Sequence, residues 1–161
     1  MTKQIMIKSG ESGEFGEFTK VINVVVQEEW YSIEQCRANP RSIYVFGDNL
    51  LRVGEAGQAS IRSCNNAIGI ATKKKPSMLD SSFFSDKEYD KLEPFLKKEM
   101  DKIVDIMFSD NLDTLVFPID GLGTGLSKLP QKAPKVFLAL SALLYKTFGI
   151  VTDQKTYKLS I

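Results

Sequence analysis

The sequence predicts an α/β protein, and three observations carry that expectation. Thr114–Ile119 is a short run rich in β-formers, long enough for one buried strand. Directly behind it, Gly121, Gly123 and Gly125 alternate with single residues, and a helical pattern, Gln131–Phe148, follows. Ser42–Phe46 repeats the plan, with Gly47 at its end and Gly54-x-x-Gly57 a few positions on. In open α/β sheets ligands sit outside the carboxyl ends of strands, which is where both glycine segments are expected.

The elements follow in order. Gln4–Lys8 and Thr19–Val26 read as strands of a hairpin across Ser9–Gly16, whose glycines and glutamates make a turn. Either that turn only covers a core edge, or it is a flap bringing Phe15 or Phe18 to a ligand's base. Trp30–Cys36 contains a short helix starting near Ser32, and Asn39–Pro40 turns the chain into the Ser42–Phe46 strand. Gln58–Asn65 is expected to open a short helix, and Ala67–Thr72 is a further strand. Pro76 halts regular structure, with Phe83 and Phe84 tucking inward beyond it. Ser85-x-x-Glu88 matches a capping box before Tyr89, Leu92, Leu96, Met100, Ile103 and Met107, one apolar helical face, with Pro94 either kinking that helix or marking its start. Pro118 requires the Thr114 strand to end there or to forgo a ladder bond, Gly149 suits a helix C-cap, and Thr156–Ile161 reads as a terminal strand.

Length and composition suit one domain covering residues 1–161, with a real hydrophobic core. The formal net charge of +1 gives no global reason to expect nucleic-acid binding. The absence of histidine excludes His-based acid–base catalysis and histidine metal sites, and neither a metal site nor a cofactor is otherwise implied. Cys36 and Cys64 form no disulfide scaffold, and the chain carries neither a membrane-length apolar run nor the apolar core of a secretion signal in Met1–Gly10. A cytoplasmic protein without a membrane partner is therefore expected.

The glycine segments and their polar neighbours are the candidate site. Closely spaced glycines let backbone N–H groups approach an anion. Asp48 suits a ribose hydroxyl or a base amine and Asn49 a hydroxyl or an oxyanion, while an Asx turn and a helix cap explain the two equally well. Of Lys73-Lys74-Lys75, Lys73 stands nearest its strand end and is the best phosphate contact, the other two reading as solvated surface.

Three segments, IYVFGDNLLRVGEAGQASIR, AIGIATKKKP and LVFPIDGLGTGLSKLPQKAPKVF, resemble the macrodomains that bind and remove ADP-ribose, in particular diverged phage and bacterial ones. The last is the most specific, since macrodomains follow a core strand ending Phe-Pro with a Gly-x-Gly loop and a helix. The resemblance implies a three-layer α/β/α fold with a mixed central sheet. It places Gly54 and Gly57 beside a distal ribose and diphosphate, and Gly121, Gly123, Thr124, Gly125, Leu126 and Ser127 in the second, diphosphate-binding loop. In the ADP-ribosyl-glutamate hydrolases of that superfamily a lysine after a strand threonine and an aspartate after Gly-x-Gly-Leu carry the chemistry. Thr72-Lys73 matches the first, whereas Ser127 stands at the second, leaving Asp120 or Asp48 to supply a carboxylate in space. The family's Gly-Asp-(Ile/Leu) and Asn-Ala-Ala-Asn runs do not occur in their usual order, so no adenine-recognising acid carries over.

Three functions follow as expectations. The first is recognition of ADP-ribose or a related NAD-derived nucleotide, free or on an ADP-ribosylated macromolecule, with hydrolysis of an ADP-ribosyl derivative as its enzymatic form. The second is a non-catalytic protein-interaction domain with an altered pocket, and the third is RNA or poly-ADP-ribose binding through Lys73–Lys75 and Lys128.

Overall fold

The computed structural model describes residues 1–9, 18–109 and 111–160. Its five-stranded sheet is built from β1 (Thr2–Lys8), β2 (Thr19–Gln27), β3 (Ser42–Asn49), β4 (Ala67–Lys73) and β5 (Thr114–Pro118), in the order β1-β2-β5-β3-β4. β1 is antiparallel to β2, and the other neighbours run parallel, so the sheet is mixed. Strands β6 (Ile150–Asp153) and β7 (Thr156–Leu159) form a separate antiparallel hairpin turned at Gln154.

Period-two alternation sorts the two faces. Ile43, Val45, Leu115 and Phe117 enter the larger core, together with Ile22, Val24 and Val26. Over this face lie α2 (Tyr89–Ser109) and α4 (Pro134–Phe148), which supply Leu96, Met100, Ile103, Leu140 and Leu144. Tyr44, Phe46 and Val116 point the other way, into a smaller core with Tyr31, with Cys36 of α1 (Ile33–Ala38), and with Ile61 of the short 3-10 turn Gly57–Ile61. The molecule is thus a three-layer α/β/α fold around a mixed sheet, with one thick helical layer and one thin one. The buried Tyr31 hydroxyl donates to the Val45 and Val116 carbonyl oxygens at 2.8 and 3.2 Å, joining the thin layer to two central strands.

Several expected boundaries shift for identifiable reasons. The helix expected over Gln58–Asn65 is only the five-residue 3-10 turn, because Arg62 and the residues after it turn back to start β4 at Ala67. The single helix expected over Gln131–Phe148 is two, α3 (Leu129–Lys132) and α4, because the residue before Pro134 cannot stay helical and Ala133 adopts φ −147°. Ala133 offers α4 no side-chain cap. Asp86, next to the start of α2, provides one instead, accepting from the Lys135 and Val136 N–H groups at 3.0 and 3.2 Å. Pro94 is accommodated inside α2, which continues from a 3-10 turn over Asp86–Glu88. Gly149 caps α4 at φ +71°, and β7 ends at Leu159.

Phe15 lies outside the described residues. Phe18 is exposed at the amino end of β2, and because β2 runs parallel to β5 it stands at the pole of the sheet opposite the glycine loop after β5. Nine residues of strand, roughly 30 Å, separate it from the carboxyl end. The alternative in which Phe18 reaches the site is therefore excluded by strand direction, and residues 10–17 lie outside the described residues. Among the described residues, no helix is long and apolar enough to cross a membrane.

Candidate functional site

β3 and β5 are direct neighbours, paired from Ser42 with Thr114 to Tyr44 with Val116, so the segments leaving their carboxyl ends must meet. They form a cleft of about 340 Å³ lined by Ala56 and Gly57 from one loop and by Gly121, Gly123 and Gly125 from the other. A smaller compartment of about 140 Å³ adjoins it, sharing Gly47, Ala56, Leu126 and Ser127 and adding Asn49, Gly54 and Lys73. Asp120 and Thr124 also line the main cleft. Gly54, Gly57, Gly121, Gly123, Gly125, Asn49, Thr124, Ser127 and Lys73 thus all border these two adjoining compartments.

The backbone of the second loop leaves a run of donors open. The N–H groups of five consecutive residues, Gly123 to Ser127, donate to no group among the described residues. Gly121 and Gly123 hold φ at +84° and +76°, values that L side chains rarely adopt. A Cβ on Gly123 would lie 3.0 Å from both Leu129 Cβ and Thr72 Cβ, and one on Gly121 would collide with the Lys155 carbonyl oxygen. The loop's rear is fixed by the C-terminal hairpin, where the buried Tyr157 hydroxyl accepts from Leu122 N–H at 3.0 Å and Tyr157 N–H donates to the Ile119 carbonyl oxygen. The Thr124 hydroxyl donates back to the Asp120 carbonyl oxygen, closing the bend.

The first loop is tied to the second by a side chain that sequence patterning did not single out. Gln58 accepts from Gly47 N–H at 2.9 Å through Oε1 and donates to the Gly121 carbonyl oxygen at 2.9 Å through Nε2. One amide thus sets the spacing between the two bends.

Asp48 is committed elsewhere. Its side chain is 2% exposed and forms a bidentate pair with Arg62, Nη1 to Oδ2 at 2.8 Å and Nη2 to Oδ1 at 2.5 Å. Asn49 N–H donates to Oδ1 at 2.8 Å, and Arg52 Nη1 stands 3.4 Å from Oδ2. Gly69 on β4 makes room, since any Cβ there would overlap the carboxylate. With both oxygens occupied, Asp48 anchors Arg62, which in turn holds the Gly54 carbonyl oxygen at 2.8 Å. Asp120 is the exposed carboxylate of the main cleft and has no ion-pair partner among the described residues.

A bulge between Asp48 and Asn49 inserts Thr72 opposite them and brings Lys73 level with Asn49. The Thr72 hydroxyl lies 2.8 Å from that of Ser127, so this pair joins β4 to the glycine loop. Lys73 is buried, with its ammonium 3.4 Å from the Leu126 carbonyl oxygen and 4.6 Å from the centre of the Phe83 ring. Burial, and then the nearby charge of Lys128, lowers its pKa from the ordinary lysine value. Lys74 instead pairs with Glu88 at 2.8 Å, a surface role. Asn49 is only 7% exposed; its Nδ2 donates to the Val53 carbonyl oxygen at 2.8 Å, while Oδ1 has no partner.

Trp30 is the other residue that patterning missed. It is 76% exposed just beyond the carboxyl end of β2 and lines the main cleft, giving an aromatic wall at the end opposite Lys73. Its exposure depends on strand direction, which local periodicity does not carry. A family model described only as a family of unknown function, DUF7831, matches residues 26–143.

The chain belongs to the DUF7831 family.

No curated protein and no solved structure matches it. In this DUF7831 chain the matched span contains both glycine loops, Trp30, Asn49, Gln58, Arg62 and Lys73. The buttressing residue Tyr157 lies outside it.

Proposed function

We propose that this protein binds ADP-ribose or a closely related NAD-derived nucleotide in the two-compartment cleft. The observation that carries the reading is the run of unpartnered backbone N–H groups from Gly123 to Ser127, on a bend held in shape by positive-φ glycines. Such a run binds a diphosphate through oriented dipoles and needs few cationic side chains. The aromatic face of Trp30 suits the base, and Asn49 lines the smaller compartment beside Lys73. The resemblance of the glycine-loop segments to macrodomains supports the same ligand, as does the three-layer mixed-sheet fold.

The buried state of Lys73 favours an enzymatic extension, the hydrolysis of an ADP-ribosyl derivative. With its amine biased toward the neutral form, Lys73 would stabilise charge at C1″ of the distal ribose or attack it, the C1″–O bond breaking as the C1″–N bond forms and the substrate carboxylate leaving with the electron pair, after which water displaces the lysine. A protein-interaction module with an altered pocket remains the alternative.

Calorimetric titration with ADP-ribose tests the binding reading, with Gly123→Glu as its control. Saturable binding abolished by Gly123→Glu is expected. No heat with ADP-ribose, or equal affinity in the variant, refutes the site. For turnover, Lys73→Ala should suppress product formation far more than affinity, and undiminished turnover removes Lys73 from the chemistry.

A further inference from the structure

We propose that Cys36 and Cys64 form a peroxide-responsive dithiol, closing on demand into a reversible disulfide that cross-links α1 to the chain leaving the 3-10 turn Gly57–Ile61. Neither residue lines the nucleotide cleft, so this chemistry stands apart from the reading above.

The fold brings the two cysteines to one place. Cys36 lies on α1 and Cys64 two residues beyond Arg62, and both line a surface depression of about 330 Å³. Cys36 is fully buried in the smaller core, and Cys64, half-buried, packs against the same cluster. A disulfide tolerates Cα separations of only about 4.4–6.8 Å, so its partners must be held at fixed spacing. Asn66 provides that hold. Its Nδ2 donates to the Cys36, Asn39 and Ser42 carbonyl oxygens at 2.9, 3.1 and 2.9 Å, tying the end of α1 to the bend just after Cys64. Cys64 is itself fixed by its N–H, which donates to the Ile61 carbonyl oxygen at 2.9 Å. Among the described residues no group of three His, Cys, Asp or Glu side chains is placed to hold a metal ion, so the pair is not part of a closed zinc site.

The pair is asymmetric, which sets the order of events. Burial, and then the neighbouring Cys64, pushes the Cys36 thiol up to about 12, so Cys36 stays protonated while Cys64 meets solvent. Peroxide therefore reacts first at Cys64. Its sulfur takes one peroxide oxygen to become a sulfenic acid, the O–O bond breaks, and the other oxygen leaves as water with the thiol proton. The Cys36 sulfur then attacks the Cys64 sulfur, the S–O bond breaks, and the hydroxyl departs as a second water with the Cys36 proton. The two thiols lose two electrons in all, and peroxide takes them. Conversion of Cys64 to a neutral sulfenic acid also removes the charge that opposes ionisation of Cys36, so the first step eases the second. Thiol reductants reopen the bond by exchange. Because α1 follows Trp30 and the 3-10 turn carries Gln58, the closed bond ties together the segments that bring both residues to the cleft.

The test is oxidation of the full chain with stoichiometric hydrogen peroxide, quenching with N-ethylmaleimide, and mass spectrometry of the intact protein and its proteolytic peptides. Wild type should lose two hydrogens as a monomer, yield a peptide pair joined through Cys36 and Cys64, and regain both thiols with dithiothreitol. Cys36→Ala should stop at Cys64, whose sulfenic acid dimedone labels, and Cys64→Ala should leave the buried Cys36 unoxidised. Wild type in which Cys64 passes to the sulfinic acid while Cys36 stays reduced overturns the inference, as do disulfides that only join separate chains, or thiols that both survive excess peroxide. Oxidation of Cys36 in folded Cys64→Ala at the wild-type rate overturns it equally. Should either variant fail to fold, the wild-type peptide map decides by itself.

Discussion

Replacing Arg62 with alanine tests the account of the first loop most directly. Asp48 would keep a carboxylate 2% exposed after losing its bidentate partner at 2.5 and 2.8 Å. Breaking a buried ion pair from one side costs about 3–5 kcal/mol. Two features of the site place the loss near the lower limit. Arg52 remains 3.4 Å from Oδ2, and the Arg62 side chain is 20% exposed, so water reaches the space it leaves. A loss of about 3 kcal/mol follows. For a urea dependence of about 2 kcal/mol per molar this lowers the unfolding midpoint by about 1.5 M. Urea titrations followed by far-UV circular dichroism measure it, and Asp48→Asn combined with Arg62→Ala provides the control. Removing the stranded charge as well should recover at least about 1 kcal/mol relative to Arg62→Ala alone. A loss below about 1 kcal/mol for Arg62→Ala, or no recovery in the double variant, would refute the assignment of Asp48 to this buried pair.

Three further outcomes are expected. Trp30 is the sole tryptophan and lines the cleft, so its fluorescence should change saturably with ADP-ribose and stay constant in Gly123→Glu; an unchanged signal in wild type would separate the indole from the ligand. Tyr157→Phe strands the Leu122 N–H and should cost about 1–2 kcal/mol in a urea titration, with weaker ADP-ribose binding by calorimetry. Since the folded protein lowers the pKa of Lys73, the unfolded chain holds the proton longer, and this group's contribution to stability grows as pH rises from the folded pKa toward the ordinary value of 10.5. Urea midpoints measured through that window should move in favour of wild type over Lys73→Met, and a gap independent of pH would contradict the shift.

What the sequence discloses here depends on range. The strand–glycine–helix plan around Thr114–Phe148 and the strand ending at Gly47 were legible because each is local, set by β-branched runs and glycines a few residues apart. That both bends open into one cleft depends on β3 lying beside β5, a pairing between residues some seventy positions apart. Gln58 and Trp30 escaped for the same reason. A glutamine that bridges two backbone groups has no sequence signature, and the usefulness of an exposed tryptophan follows from the parallel course of β2. Asp48 looked free in the sequence because nothing local announces that Arg62, fourteen residues on, takes both its oxygens. The break before Pro134 was not anticipated, although a proline bars the residue before it, Ala133, from the helical region.

The dependence of the Gly121–Ser127 bend on Tyr157 means that part of its shape is imposed by residues with no view of the cleft. Relatives that share residues 26–143 can therefore differ in the shape of this bend without a change among the residues lining the cleft, by varying what stands behind it. A recombinant fragment trimmed to the matched span would lack that backing.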